Sequence, residues 1–174
     1  LPLPEDESTA DQYDVMFSTA SGNVRRNRLS DFVNVWVNGK IAMKLDEGDQ
    51  LVNVNICRED QDVMLATKKG KAIRFQVGDV RVFVGRTSTG VRGISLAEGD
   101  EVISMSILNH IDVDTVERDA YLKHANAMRR AEEEGDSGTD VGGGLDPERI
   151  AELGAAEEFV LAIADDGIGK RSSS

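Results

Sequence analysis

Glycine and arginine are concentrated in one short segment, residues 85–100, with the sequence GRTSTGVRGISLAEGD. Glycine-rich loops can cradle phosphate groups with their backbone amides, and arginine binds phosphate oxygens directly. The segment matches the first half of the nucleotide-binding loop, but Val91 and Arg92 stand where that loop needs Lys and Ser or Thr. We therefore predict turns and close strand passage at the glycines, with Arg86 and Arg92 facing phosphate. These glycines are Gly85, Gly90, Gly93 and Gly99.

Other reactive residue types form no recognisable site. His110 and His124 have no paired cysteines or suitably spaced carboxylates for zinc. Residues 46–49, Asp-Glu-Gly-Asp, lack the length and the terminal Glu of a calcium loop, so we interpret them as a turn. Cys57 is the only cysteine, which excludes an internal disulfide. We expect no catalytic residue, no metal site and no cofactor in this chain.

The 174-residue chain carries a net charge of −12, and the charge is unevenly distributed. Residues 1–110 hold 13 basic and 16 acidic side chains, whereas residues 111–158 hold five and 14. Most of the acidity therefore lies in one segment. No apolar run has membrane-spanning length, and the start lacks the pattern of a secretory leader. We expect a cytoplasmic piece of a longer chain.

A repeat of about 50 residues organises the sequence. Residues 14–32, DVMFSTASGNVRRNRLSDF, align with residues 62–80, DVMLATKKGKAIRFQVGDV, at an offset of 48. Residues 39–56 align with residues 90–107 at an offset of 51. A third copy begins at 158–174, EFVLAIADDGIGKRSSS. A fixed period of this length predicts a propeller-like or solenoid array.

Each repeat has the pattern of β-structure. A short apolar run, a turn containing glycine and a basic strand predict a hairpin. Two further strands are predicted around each Glu-Gly-Asp turn, and the pieces LSDF and VGDV predict single helical turns or corners. The predicted fold is all-β, with propeller-like blades of about four strands. We assign 1–12 to the end of a preceding blade, 13–61 and 62–110 to two blades, 111–157 to an insertion, and 158–174 to the first hairpin of a third blade.

The insertion is acidic and is predicted to be partly helical or disordered. Residues 111–157 contain 13 acidic and five basic side chains, a net charge of −8. Helix-forming residues predict helices over 114–135 and 146–158, the second with Asp146 at its cap and proline in its first turn. Residues 136–144 predict a flexible connector. We expect a surface excursion.

Basic side chains recur at equivalent places around the hairpin turns. If the repeats lie side by side, these residues form a track that neutralises phosphates without reading bases. The alternative is that Lys and Arg at strand edges only prevent edge-to-edge aggregation, and the spacing does not separate the two. The predicted DNA-binding residues are Arg25, Arg26, Arg28, Lys68, Lys69, Lys71, Arg74, Arg86, Arg92, Lys170 and Arg171.

Four segments resemble the C-terminal domain of the A subunit of bacterial DNA gyrase. They are NGKIAMKLDEGDQL, DVMLATKKGKAIRF, GRTSTGVRGISLAEGDEV and FVLAIADDGIGKR. The resemblance spans residues 1–110 and 158–174, and it implies a β-pinwheel of about six propeller-like blades. It also implies that the basic perimeter wraps double-stranded DNA, without sequence preference, for ATP-dependent negative supercoiling by an A2B2 type II topoisomerase. The catalytic tyrosine and the ATP and Mg²⁺ sites of that enzyme would lie outside this chain.

Two departures from that family qualify the resemblance. The basic Gln-Arg-Arg-Gly-Gly-x-Gly box of the family is absent, and we expect it upstream of Leu1. The insertion 111–157 is outside the common core, and its negative charge is expected to hold DNA away from its sector. The alternatives are the topoisomerase IV A-type subunit, which is related, and a repeat scaffold that binds protein. The salt dependence of DNA binding separates the scaffold from a DNA-binding module.

Overall fold

The computed structural model describes residues 3–4, 7–33, 38–134 and 144–174, with the backbone alone at 7 and 132–134. The chain divides into two compact units, Leu1–His110 and Ile111–Ser174. Within the described ranges, neither α-helix is long and apolar enough to cross a membrane.

The first unit is built from two antiparallel sheets. Its described strands are β1 (Asp14–Thr19), β2 (Asn23–Arg28), β3 (Leu51–Cys57), β4 (Gln61–Thr67), β5 (Ala72–Gln76), β6 (Val91–Arg92) and β7 (Val102–Asn109). Short 3-10 helices cover Glu7–Gln12, Leu29–Phe32 and Val77–Asp79, the last two being the helical turns expected from LSDF and VGDV. The sheets have the orders β3-β1-β2-β6 and β5-β4-β7.

The first two repeats fold as equivalent hairpins. Asp14 lies opposite Arg28 in the first hairpin and Asp62 lies opposite Gln76 in the second, which is the same register. Each hairpin turns at a glycine with a positive φ, 89° at Gly22 and 81° at Gly70. A side chain with a Cβ is strained at such a φ, and this explains why glycine recurs there. The outer strands β3 and β7 also carry a register shift at the same place.

The strands around the Glu-Gly-Asp turns differ from the prediction. Strands follow these turns, as β3 and β7, but residues 38–50 and 93–97 form none before them. Instead, the amides of Gly93 and Ile94 donate to the Gly22 carbonyl at 2.8 and 3.2 Å. Ile94 is thereby buried in the core. The prediction of a strand before each turn is therefore wrong. In the second repeat, residues 91–94 cross from one sheet to the other, and only the two-residue β6 pairs with a strand of the first sheet.

The hydrophobic core joins the two sheets. Ten buried residues from both repeats form one cluster, which includes Met16, Val24, Leu65 and Val102. The neighbouring strands β3 and β7 are also tied by side-chain amides. Asn55 donates to the Met105 carbonyl at 3.1 Å. Because the two sheets share this cluster, its side chains are buried by residues of both repeats.

The described residues of the second unit form two helices and one hairpin. These are α1 (Thr115–Glu134), α2 (Pro147–Ala156), β8 (Phe159–Ile163) and β9 (Gly169–Ser173). Both predicted helices are confirmed. The Asp146 carboxylate caps α2 by accepting from the Glu148 amide at 3.1 Å. Arg149 ties α2 to α1 through Glu117, with Nε to oxygen at 2.7 Å. Most of the connector predicted over 136–144 lies outside the described residues.

The hairpin β8–β9 has the same geometry as the first two. Phe159 lies opposite Ser173, the register of the other two hairpins, and Gly167 has a φ of 84°. The third copy expected from the sequence therefore forms the same structural motif. An all-β architecture of small antiparallel, propeller-like sheets with a helical acidic insertion is confirmed.

Candidate nucleic-acid interface

The loop that begins at Gly85 is a passage between the sheets, and strand β6 rather than a helix follows it. Gly90 has a φ of 91°, and a Cβ there would lie 2.2 Å from the Val24 carbonyl oxygen. A Cβ at Gly85 would meet nothing within 4 Å. The architectural role predicted for the glycines therefore holds at Gly90, whereas nothing in the described structure requires glycine at position 85.

Arg25 lies inside the protein, although its spacing predicted a DNA contact. Its side chain is 1% exposed. Its Nε donates to Asn27 at 2.8 Å, and its terminal nitrogen donates to the carbonyl and the hydroxyl of Ser88. The guanidinium lies 5.0 Å from the Phe83 ring centroid. Burial lowers the pKa of Arg25, and the nearby Arg81 lowers it further. Arg25 holds the loop in place, and its burial contradicts the predicted phosphate contact.

Arg26 is also buried and is removed from the predicted track. Its side chain is 2% exposed, and it pairs with the buried Asp14 carboxylate, Nε to oxygen 2.7 Å. It also donates to the carbonyls of Val77 and Val80, each at 3.2 Å. These carbonyls belong to the helical corner of the second repeat. Arg26 therefore joins the two repeats, because the corner that covers it accepts hydrogen bonds from one of its terminal nitrogens.

Three cations remain around the loop of the second repeat. Arg92 is exposed on β6, and Arg86 is half-buried. The Nε of Arg86 is buried and has no hydrogen-bond partner among the described residues. Arg81, which lies outside the predicted set, is exposed and sits 3.8 Å from the Phe83 centroid. Phe83 thus contacts both the buried Arg25 and the exposed Arg81.

The turn of the second hairpin carries three exposed lysines. The Nζ atoms of Lys69 and Lys71 each donate at 2.6 Å to carbonyl oxygens, of Glu98 and Ser95 respectively. Lys68 pairs with the Glu101 carboxylate at 3.0 Å. A carbonyl oxygen carries no net charge, so these bonds to Lys69 and Lys71 hold the ammonium groups without neutralising them.

Both Glu-Gly-Asp segments are turns that hold a hairpin tip. Asp49 accepts from the Ser21 amide at 2.9 Å, and Asp100 accepts from the Lys69 amide at 3.0 Å. Burial opposes ionisation of Asp49, but the hydrogen bonds from Ser21 and neighbouring groups outweigh it and lower its pKa. Desolvation likewise opposes ionisation of Asp100, and hydrogen bonds, first among them that from the Lys69 amide, outweigh it and lower its pKa. The two carboxylates fix the positions of the hairpin tips.

Arg28 and Arg74 are only partly available. Arg28 is 46% exposed and pairs with Asp14 at 3.1 Å. Arg74 is 29% exposed and pairs with Asp62 at 2.7 Å. Each arginine is therefore already paired with a carboxylate at the base of its own hairpin.

In the second unit, Lys170 and Arg171 lie exposed on β9. The Arg171 guanidinium lies 4.5 Å from the Phe159 centroid, and Arg129 of α1 lies 5.0 Å from the same ring. Arg129 is absent from the predicted set because the insertion has no counterpart in the repeats. Leu122, Asn126 and Arg129 have the spacing i, i+4 and i+7, which places them on one face of a helix, and this spacing could have identified Arg129 from the sequence.

Comparison with known proteins is consistent with this architecture. Residues 13–58 and 61–109 match the family model described as DNA gyrase C-terminal domain, beta-propeller. The A subunit of DNA gyrase from Granulibacter bethesdensis is 52% identical over 189 residues. That alignment covers all of this chain but only 20% of the relative, so the chain spans about a fifth of that protein's length.

Two solved structures share the fold. A DNA gyrase A C-terminal domain aligns with a TM-score of 0.51 and 33% identity, covering 56% of this chain and 32% of that chain. The C-terminal domain of a DNA topoisomerase IV aligns with a TM-score of 0.54 and 26% identity, covering 58% and 31%. With the family model matching more than half of the residues, the chain belongs to the DNA gyrase C-terminal domain, beta-propeller family.

Proposed function

We propose that this chain binds double-stranded DNA through phosphate contacts and without sequence preference. The observation that carries the proposal is the group of cations on the second repeat. Lys69 and Lys71 are exposed with their ammonium groups held on carbonyl oxygens, and Arg92 of the same repeat is exposed on β6. Lysine and arginine that contact only the backbone of DNA fix its path without reading bases.

The negative net charge does not exclude this activity. Residues 1–110 carry a net charge of only −3, and several of their carboxylates are occupied within the protein. Asp14 and Asp62 pair with arginines, while Asp49 and Asp100 accept backbone amides. A local group of cations can therefore attract phosphate even where the sum of charges is slightly negative.

Membership of the family supports a proposal for the wider role. In a gyrase A polypeptide, such a domain would wrap DNA and present a second duplex segment to the cleavage core for negative supercoiling. The partners would be the rest of the gyrase A polypeptide and the gyrase B polypeptide, in an A2B2 enzyme of the bacterial cytoplasm. ATP and Mg²⁺ would bind elsewhere in that assembly, and we assign no cofactor to this chain. The topoisomerase IV likeness gives a second candidate, but its 26% identity is below the 33% of the gyrase structure.

Salt-dependent binding of the 174-residue chain tests the proposal. Fluorescence anisotropy with two duplexes of unrelated sequence should give equal affinities. The logarithm of the binding constant should fall with the logarithm of salt concentration, by about 0.9 per phosphate contacted. Lys69→Gln, Lys71→Gln and Arg92→Gln should each reduce that slope by about 1.

Arg58→Gln provides the matched control, because Arg58 is 49% exposed, pairs with Asp60 and lies outside the predicted set. It should leave the slope unchanged. A strong preference for one duplex sequence, or equal effects of Arg58→Gln and Lys71→Gln, would overturn the proposal. If the chain bound a partner protein tightly and independently of salt but did not bind DNA, the alternative of a protein-binding repeat scaffold would be favoured.

A further inference from the structure

A basic cleft of about 460 Å³ lies within the second unit, between helix α1 and the hairpin β8–β9. Its volume falls within the range of ligand sites in proteins. No carboxylate from the described part of the chain lines the cleft. The polar and aromatic residues that matter here are Asn126 and Arg129 of the insertion, and Phe159, Lys170, Arg171 and Ser172 of the hairpin.

The third hairpin differs from the first two at one position beside its arginine. In the first two, the residue 12 positions before the arginine is an aspartate that pairs with it, Asp14 with Arg26 and Asp62 with Arg74. In the third hairpin, Phe159 takes that place and contacts Arg171 through its ring. A phenyl ring holds a guanidinium without cancelling its charge. Arg171 therefore keeps a full positive charge at the cleft.

The insertion contributes a second guanidinium to the same ring. Arg129 lies 5.0 Å from the Phe159 centroid, and it donates to the buried carboxylate of Glu157. Tyr121 donates to the same Glu157 oxygen at 2.9 Å. Glu157 thus fastens α1 to the start of the hairpin. It neutralises part of the Arg129 charge, but the lining stays positive because Lys170 and Arg171 have no ion pair within the part of the chain that is described.

We propose that the acidic insertion completes a phosphate-binding cleft on the third hairpin, and that its ligand is a backbone phosphate of duplex DNA. Arginine, lysine, asparagine and serine are among the side chains that contact DNA phosphates in proteins. The contacts to Phe159 hold both guanidiniums in place before the ligand arrives, which reduces the entropy lost on binding. The inference rests on the proposed DNA binding and names a site for it that the repeats alone do not provide.

The cleft also changes the expected effect of the insertion on DNA. The net charge of residues 111–157 by itself predicts only repulsion of DNA. The carboxylates of Glu117 and Glu152 are paired with Arg149, and Glu157 is paired with Arg129. The insertion therefore combines general repulsion with one local attraction, and single substitutions separate the two.

The test measures duplex binding by the 174-residue chain at about 50 mM salt, and again as the salt is raised to about 200 mM to give the salt slope. Arg171→Gln should weaken binding about tenfold and reduce the salt slope by about 1, because one phosphate contact is lost. Asn126→Glu should weaken binding by a similar factor by placing an anion in the cleft. The control is Arg130→Gln, which removes an exposed arginine of α1 outside the cleft and should change binding less than about twofold.

Equal weakening by Arg130→Gln and Arg171→Gln would overturn the cleft, because only diffuse charge would then matter. Inorganic phosphate provides a second probe, followed by the NMR shifts of the Ser172 and Ser173 amides. If phosphate shifts them and duplex DNA does not displace it, a free anion is the ligand and the DNA assignment fails. If the chain binds DNA through Lys71 but ignores the cleft variants, this inference fails while the proposed function stands. If it binds no duplex at all, both fail.

Discussion

Arg26 and Arg171 occupy the same position in two copies of one hairpin, yet their surroundings are opposite. Arg26 is 2% exposed, pairs with Asp14 and donates to two carbonyls of the next repeat. Arg171 is exposed and contacts the Phe159 ring. The strand register is identical, so the hairpin itself does not decide what the arginine does.

The difference shows that a repeat position acquires its role from what covers it. Arg74 stands between the two extremes, since it is 29% exposed and paired with Asp62. Where a carboxylate pairs with the arginine and the corner of the next repeat covers it, as at Arg26, the arginine is a structural link. Where an aromatic ring replaces the carboxylate and no corner covers the side chain, as at Arg171, the guanidinium is exposed to a ligand.

The largest effect is expected from Arg26→Ala. It leaves the 1% exposed Asp14 without its main partner and two carbonyls without a donor, so unfolding free energy should fall by about 3–5 kcal/mol. Urea denaturation measures it. Arg171→Ala is the matched change at an exposed site and should cost less than about 0.5 kcal/mol. Similar losses for both variants would show that burial does not separate the two arginines.

Gly90→Ala should have the next largest effect. At Gly90 the φ is 91° and a Cβ would lie 2.2 Å from the Val24 carbonyl, so β6 must move from β2. We expect a loss of about 1–3 kcal/mol in unfolding free energy. Gly85→Ala is the control, because its Cβ meets nothing within 4 Å, and it should stay within about 0.5 kcal/mol. Equal stability of both variants would contradict the close passage of strands at Gly90.

The hairpin geometry was predictable because its determinants are local. The aligned Asp14 and Asp62, and the aligned glycines of the turns, indicate equivalent hairpins from the amino-acid sequence alone. Helix α2 was predictable for the same reason, from Asp146 and the proline after it. Each of these signals lies within a few residues of the element that it specifies.

The site was less predictable because exposure is not local. Arg25 and Arg26 have the spacing of a basic track, but both contact groups more than 50 residues away in sequence. Strand β6 joins the sheet of the preceding repeat, which no period within one repeat indicates. Arg129 comes from an insertion without a repeat counterpart. Tertiary packing decided each of these cases.

Phe159→Asp should convert Arg171 from an exposed arginine to one that is paired with a carboxylate, as Arg26 and Arg74 are. Phe159→Asp gives the third hairpin the carboxylate that the first two have, so Arg171 should pair with it and lose its availability to phosphate. Duplex affinity at low salt should fall about threefold to tenfold. Phe159→Asn removes the ring without adding charge and should cost less affinity. If Phe159→Asn weakens binding as much as Phe159→Asp, the ring rather than the charge controls the cleft.

The smallest effect concerns pH and the attachment of α1. Burial opposes ionisation of Glu157, but hydrogen bonds from Arg129, Ser173 and Tyr121 outweigh it and lower its pKa. Burial and the same carboxylate raise the pKa of Tyr121 to about 12, so this donor stays protonated at neutral pH.

A carboxylate with a lowered pKa in the folded state stabilises that state above its unfolded pKa of about 4.3, and the contribution is lost as pH falls towards the folded value. Helical circular dichroism during thermal melting should therefore show a lower melting temperature for the second unit below about pH 4.3. Glu157→Gln should melt lower at neutral pH and lose part of this acid dependence, whereas an unchanged acid dependence would assign it to another carboxylate of the second unit such as Glu117, whose pKa is lowered by the hydrogen bond from Arg149.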